Sequence, residues 1–489
     1  MTTPSLPSQD RAFFGHPRGL GLLFMTEMWE RFSFYGLRPL LVLFMAAALA
    51  DGGFGFDRPA ASAIVGIYAA SVYLASLPGG WIADRWLGLR RAILIGAMLI
   101  TSGHLAIGIS GMAGAGAGKI FFFLGLVLIV LGTGLLKPNI SAIVGDLYPE
   151  GGARRDAGFS IFYMGINTGA FIGQLVTGYL GERVSWHWGF GAAGVGMLCG
   201  LLMFWLKAKD TLGTLGQDIV RDPNPAVQAK REGAVRNYTF GGLALLALVF
   251  VLASTGAVSL DPQAIGGVMT FVLVGIAVAF FGFLFAFGGL TRDEKRRSGV
   301  IFVLFVFAAI FWAAFEQAPT SLQLFANDFT DRNLFGFEIP ATWFQSVNSA
   351  FIILFSPLFA ALWILLAKRN IDLSSPAKFA IGLALAGVGF LVMVFAANRV
   401  VASGGTVLVS PWWLIISYLF QTLGELFLSP VGLSSMTKLA PRRYVGQMMG
   451  IWFLATSVGN LVAGLVGGHV DPTKLDQTPL VFSGTAIAL

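Results

Sequence analysis

The sequence predicts an all-α membrane protein in which two six-helix sets flank a pair of additional spans, fourteen helices in all. Three observations carry this prediction. Of 489 residues, 56% are hydrophobic and only 12% charged, against about 25% charged in soluble domains. The apolar runs are mostly about 20 residues or longer, enough to cross a hydrocarbon core as helices, and they lack the ten-residue alternation of an outer-membrane barrel. The basic residues are also distributed unevenly between the loops that separate the runs.

The runs fall near residues 20–49, 60–82, 91–112, 119–143, 157–181, 186–206, 238–258, 266–289, 298–326, 341–367, 376–397, 411–437 and 443–467. A last run covers 478–489 and stops mid-run, so the fourteenth helix is expected to be truncated. The opening MTTPSLPSQDRAFFGHPRG is polar and has no short apolar core followed by a cleavage site, so it is not a cleaved signal peptide. The single Cys199 excludes an internal disulfide framework, and no Cys/His spacing suits a metal. No metal and no cofactor are expected.

The net charge of +7 does not call for nucleic acid, because the positive-inside rule accounts for it. With the N-terminus in the cytoplasm, 23 of the 32 Lys and Arg residues fall on one side, six on the other, and Arg31, Arg38 and Lys137 within spans. The longest polar stretch between spans divides the chain. Residues 1–209 form an N-terminal six-helix bundle, 210–237 a cytoplasmic linker, 238–297 two further spans with their following loop, and 298–489 a C-terminal bundle. The stretches SIFYMGINTGAFIG from Ser160 and GIWFLATSVGNLVA from Gly450 share an Ile, an aromatic pair and a Gly at matching places. With the charge topology, they favour two parallel halves around a site near the midplane. Gly165, Gly169 and Gly173 recur one turn apart and permit close helix packing.

The first run contains charges where lipid would reject them. At about 100° per residue, Glu27, Glu30, Arg31, Phe34 and Arg38 share one helical face. An isolated charge at the bilayer centre costs about 2.5–3.5 kcal/mol on insertion scales, so this face must meet partners or water. Candidate partners are Lys137, Glu316 and Glu425, each alone in an apolar run. Four acids and three bases approach neutrality with one bound proton, which suits a proton-coupled device. The same residues also suit fixed pairs that stitch helices together, since Glu27, Glu30 and Arg31 have pairing spacings. Tyr163, Asn167 and Gln174 share a face. Trp312 and Glu316 lie one turn apart, as do Gln421, Glu425 and Ser429. Together they outline a polar, aromatic-lined cavity. For Tyr163, Trp312, Tyr73 and Asn348, ordinary core packing is the alternative reading.

These residues resemble the proton-dependent oligopeptide transporters of the major facilitator superfamily. The signature ExxERFxYYG appears as Glu27-Met-Trp-Glu30-Arg31-Phe32-Ser-Phe34-Tyr35-Gly36, and FYxxINxG as Phe162-Tyr163-Met-Gly-Ile166-Asn167-Thr-Gly169. GGWIADRWLGLRR, from Gly79 to Arg91, is similar to the superfamily's loop between its second and third helices. The resemblance covers essentially the whole chain and implies the major facilitator fold with the two extra helices of prokaryotic members.

It also implies roles. Arg31 and Lys137 would attract a peptide's carboxylate, and Glu425 would hold its amino terminus. Tyr35, Tyr73, Tyr163, Asn167, Trp312, Asn348, Ser429 and Trp452 would line the pocket. Glu316, facing Arg38, would be a coupling proton site, while Glu27 and Glu30 would pair with Arg31 and Lys137 until protonated. Phe34 stands where the family has a tyrosine, which bears on the range of peptides. The expected activity is symport of di- and tripeptides with protons across the cytoplasmic (inner) membrane, with a monomer as the transport unit. Rival expectations are a same-fold transporter of nitrate or modified amino acids, and a peptide-sensing receptor. No residues have the spacing of an intramembrane hydrolase.

Overall fold

The computed structural model describes residues 10–219, 221–370 and 373–489. Every apolar run becomes a helix. They are α1 (Arg18–Ala46), α2 (Arg58–Ile82), α3 (Leu89–Ser110), α4 (Gly114–Asp146), α5 (Gly152–Arg183), α6 (Trp186–Leu212), α7 (Pro225–Ser254) and α8 (Pro262–Phe287). There follow α9 (Arg292–Phe315), the short α10 (Gln323–Asp328), α11 (Trp343–Lys368), α12 (Ser375–Ala402), α13 (Trp412–Leu439), α14 (Val445–Gly467) and α15 (Gln477–Ala488). Among the described residues, eleven spans are long and apolar enough to cross a membrane; α1, with its embedded charges, is not one of them.

Two elements differ from the sequence expectation. The polar stretch 210–237 is largely helical, because α6 runs on to Leu212 and α7 starts at Pro225. Asn224 caps α7 through its side chain, which accepts from Ala226 N, and Pro225 supplies a preset φ at the first position. The stretch then continues with good helix formers, so its polarity marks a solvated helix rather than a loop. The second difference lies in the run 298–326, which is broken. Pro319 has no N–H and cannot continue the ladder, and residues Ala318–Leu322 adopt a π-helical turn between α9 and α10. Beyond α10 a small hairpin pairs β1 (Asn333–Leu334) with β2 (Phe337–Glu338). Its two-residue turn, Phe335-Gly336, has positive φ at both positions.

Packing divides the chain into two compact units. One comprises Met1–Leu37 and Leu74–Leu260, the other Arg38–Tyr73 and Asp261–Leu489. In the first unit, α5 packs on α1 through its glycine row. A Cβ at Gly165, Gly169 or Gly173 would collide with Phe24, Met28 or Phe32, at Gly169 and Gly173 with the backbone itself. On α6, Gly196 and Gly200 receive Phe32 and Trp29. Gly96 faces Gly132, and Gly103 faces Gly125, between α3 and α4. Ahead of α1, His16 Nδ1 lies 2.8 Å from Tyr148 Oη. Burial lowers the His16 imidazole, with Arg154 adding to the effect, and burial pushes the Tyr148 phenol up to about 12, so the pair meets uncharged at neutral pH.

In the second unit the same device recurs: Gly464 meets Gly66 of α2, Gly459 receives Trp312, and Gly382 faces Gly424 between α12 and α13. Thr291 and Glu294 form a capping box that starts α9. Small residues at such crossings let backbones approach and gain dispersion contacts, which drive helix association where lipid offers no hydrophobic contrast.

Candidate functional site

In the first unit, the charged face of α1 closes on itself. Arg31 Nε lies 3.2 Å from Glu27 Oε1 and also pairs with Glu30. All three side chains are buried: Glu27 and Arg31 are 1% exposed and Glu30 is fully buried. From α4, Thr133 Oγ1 lies 3.5 Å from Glu30 Oε1, and one turn on, the Lys137 charge acts on Glu27. Two acids and two bases are thus gathered in a low-dielectric interior, where each charge depends on the others. The set is not saturated. Glu27 Oε2 and Arg31 Nη2 have no hydrogen-bond partner among the described residues, and buried polar atoms of that kind are costly and rare in folded proteins.

Phe34 belongs to this set. Its ring is buried, and the Arg31 guanidinium lies 5.1 Å from its centroid, against 5.9 Å for Tyr35. The quadrupole of a phenylalanine face holds a cation without a hydroxyl. On α5, Asn167 is buried and its amide donates to Tyr163 O, one turn back. Tyr163 is exposed, and Gln174 is buried with Oε1 lacking a partner among the described residues.

In the second unit, Arg38 forms an ion pair with Glu316, both nearly buried. Glu316 sits just past the last residue of α9, where the π-helical break begins. A helix C-terminus disfavours negative charge, and Arg38 supplies the compensating cation. Arg38 Nη2 also donates to Asn460 Oδ1 at 2.9 Å, and Asn460 is fixed by donating to Thr456 O. Asn348 Nδ2 of α11 donates to Thr422 Oγ1 at 2.9 Å and to Glu425 Oε2 at 3.2 Å on α13. The Glu316 charge acts on Glu425. Trp312 is held against Gly459 and edge-on to Phe311 and Phe315, and its Nε1 has no partner among the described residues. Trp452 is buried over Gly432, Ser429 is half-buried one turn from Glu425, and Tyr73 is half-buried on α2.

The structure therefore brings the sequence-derived residues together as three groups: Glu27, Glu30, Arg31 and Lys137; Arg38 with Glu316; and Asn348 with Glu425. Asn460, Thr133 and Thr422 join them without having been singled out. Asn460 was findable as a lone amide within an apolar run. The two threonines carry no such signal.

The sequence pattern of the POT family matches residues 90–210 and 272–479. The chain belongs to the POT family. It is 50% identical to a peptide transporter, YePEPT, from Yersinia enterocolitica over all of this chain and 95% of the relative. It is 38% identical to a di-/tripeptide transporter of Lactococcus lactis subsp. cremoris, covering 94% of this chain and 90% of that one. Among solved structures, a peptide transporter POT in complex with sulfate matches at a TM-score of 0.87 and 38% identity, over 100% of this chain and 96% of the other. A POT family transporter in complex with 5-aminolevulinic acid matches at 0.87 and 33% identity, over 99% and 96%. These relatives establish the fold as the major facilitator type.

Proposed function

We propose that this transporter is a proton-coupled symporter of di- and tripeptides that works by alternating access in the cytoplasmic membrane, with its N-terminus in the cytoplasm. The observation that carries this reading is the unsaturated buried set on α1, where Arg31 is shared by two carboxylates while one Arg31 nitrogen and one Glu27 oxygen have no hydrogen-bond partner among the described residues. A guanidinium fork so placed suits a peptide carboxylate, which it can bind bidentately. Protonation of Glu27 or Glu30 weakens that acid's hold on Arg31 and frees the cation for substrate.

The second pair supplies the coupling. Arg38 neutralises Glu316 when the acid is ionised, and a proton replaces Arg38 when the pair opens. A proton that changes which pair exists thereby biases the conformational equilibrium, and substrate and proton affinities become linked. Glu425, oriented by Asn348, is suited to a peptide's amino group, and Tyr35, Tyr73, Tyr163, Asn167, Trp312, Ser429 and Trp452 to its walls. Charges fix the ends of the substrate while adaptable walls accept many side chains. Protons are the only coupling species in this scheme, and one chain suffices as the transport unit.

A labelled dipeptide should accumulate in liposomes only under an inward proton gradient; accumulation without one would overturn the reading. Glu316→Gln should abolish driven uptake while peptide exchange persists.

One relative bound to 5-aminolevulinic acid favours a second reading, cargo built as a modified amino acid, which also carries an amino group and a carboxylate. Fold does not fix cargo. Competition of dipeptide, 5-aminolevulinic acid and nitrate in one uptake assay separates these readings, since only cargo with an amino group has use for Glu425.

A further inference from the structure

In the second unit, at the helix ends that also carry Lys368, Arg369 and Arg442, α11, α12 and α13 border a half-open cleft of about 330 Å³. Trp363, Ser375, Lys378, Ser435 and Lys438 line it. Two ammonium groups face this space with no carboxylate among the lining residues, and no acid pairs with either lysine among the described residues. Lys378 Nζ rests 4.5 Å from the centroid of the Trp363 ring. That ring is itself clamped edge-on by Phe359 and Phe427. A cation–π contact positions a cation without neutralising it, so the charge stays available.

Ser435 gives an independent pointer. It is only 4% exposed and it lines the cavity. The N-terminus of α12 adds the positive end of its dipole, with Ser374 capping Ala377 N. Two cations, a hydroxyl and the positive end of a helix border one space, a combination suited to an anion of phosphate type. Val431 and Leu439 complete the wall with apolar surface, which a free anion does not need and a lipid does.

We propose that this pocket binds the phosphate of an anionic glycerophospholipid. Basic pockets between transmembrane helices recognise such headgroups by charge and hydrogen bonding together. A second cavity in the first unit provides an internal contrast. It is lined by Arg90 and Arg91 but also by Asp218, and Arg90 Nη1 is already engaged with Gly213 O at 2.6 Å.

Thermal unfolding of the full-length protein in detergent tests this independently of transport. Added phosphatidylglycerol should raise the midpoint by about 2 °C or more relative to the same amount of phosphatidylcholine, as expected for a ligand specific to the folded state. Lys438→Gln, at an exposed position, and Ser435→Ala should each remove at least half of that difference, while Arg91→Gln leaves it intact. Native mass spectrometry should show fewer retained phosphatidylglycerol molecules on the Lys438→Gln protein. Equal shifts from both lipids, or an undiminished difference in Lys438→Gln together with Lys378→Gln, would overturn the proposal. The same shift from inorganic phosphate alone would also do so, by making a free anion the ligand.

Discussion

Arg38 has two acceptors in the structure, and they differ in what they can do. Glu316 can be neutralised by a proton, whereas the Asn460 oxygen, 2.9 Å from Arg38 Nη2, accepts at any pH. In the proposed coupling scheme Asn460 is a positioning residue that holds the guanidinium in place while the acid changes state. Hydrogen bonds to charged groups contribute about 1.5–3 kcal/mol, so Asn460→Ala should lower driven uptake roughly tenfold or more and displace its pH profile, with peptide exchange retained. A lower rate with an unmoved pH profile would mean that Asn460 serves packing alone. The sequence exposed this residue only weakly, because a contact between positions 38 and 460 is a tertiary fact that periodicity does not encode. By contrast, the pairing of Arg31 with Glu27 was legible in their i, i+4 spacing along one helix, as was the aromatic neighbour Phe34, whose ring the cation uses without a hydroxyl; the contact with the adjacent Glu30 was not.

At the level of elements, the charged face of α1 depends on its uncharged neighbour rows. Phe24, Met28 and Phe32 lie against the glycine row of α5, and that fit sets how deep α1 sits. A side chain at Gly169 would strike the Met28 backbone, which cannot rotate away. Gly169→Val should therefore force α1 and α5 apart, at a cost of about 1–3 kcal/mol or more for overpacking, and eliminate uptake together with a lowered unfolding midpoint. Gly267→Val on α8, where an added Cβ meets nothing within 4 Å, is the control that should change neither. Helices of this kind were legible because hydrocarbon admits few alternatives to them. The start of α7 and the π-helical turn were not. The first is polar and looks like a linker to any reading by hydropathy, and the second follows from how Pro319 is accommodated among its neighbours rather than from composition.

For the whole molecule, the charge asymmetry makes the strongest claim. In the proposed topology twenty-three of thirty-two basic residues lie on one side of the spans, and a Lys/Arg excess of that kind marks the cytoplasmic side. The proton gradient sets the direction of net symport, and orientation decides which loops and which mouth of the transporter face the cytoplasm. In a Cys199→Ser background, Ala229→Cys tests the side that holds the polar start of α7, and Thr473→Cys tests the loop between α14 and α15; both native residues are exposed. A membrane-impermeant maleimide applied to intact cells should label the Thr473→Cys protein and spare the Ala229→Cys protein, and both should react after lysis. The opposite pattern would place the N-terminus outside and overturn the proposed orientation. Labelling of both in intact cells would mean that the chain inserts in two orientations, which an excess of this size argues against.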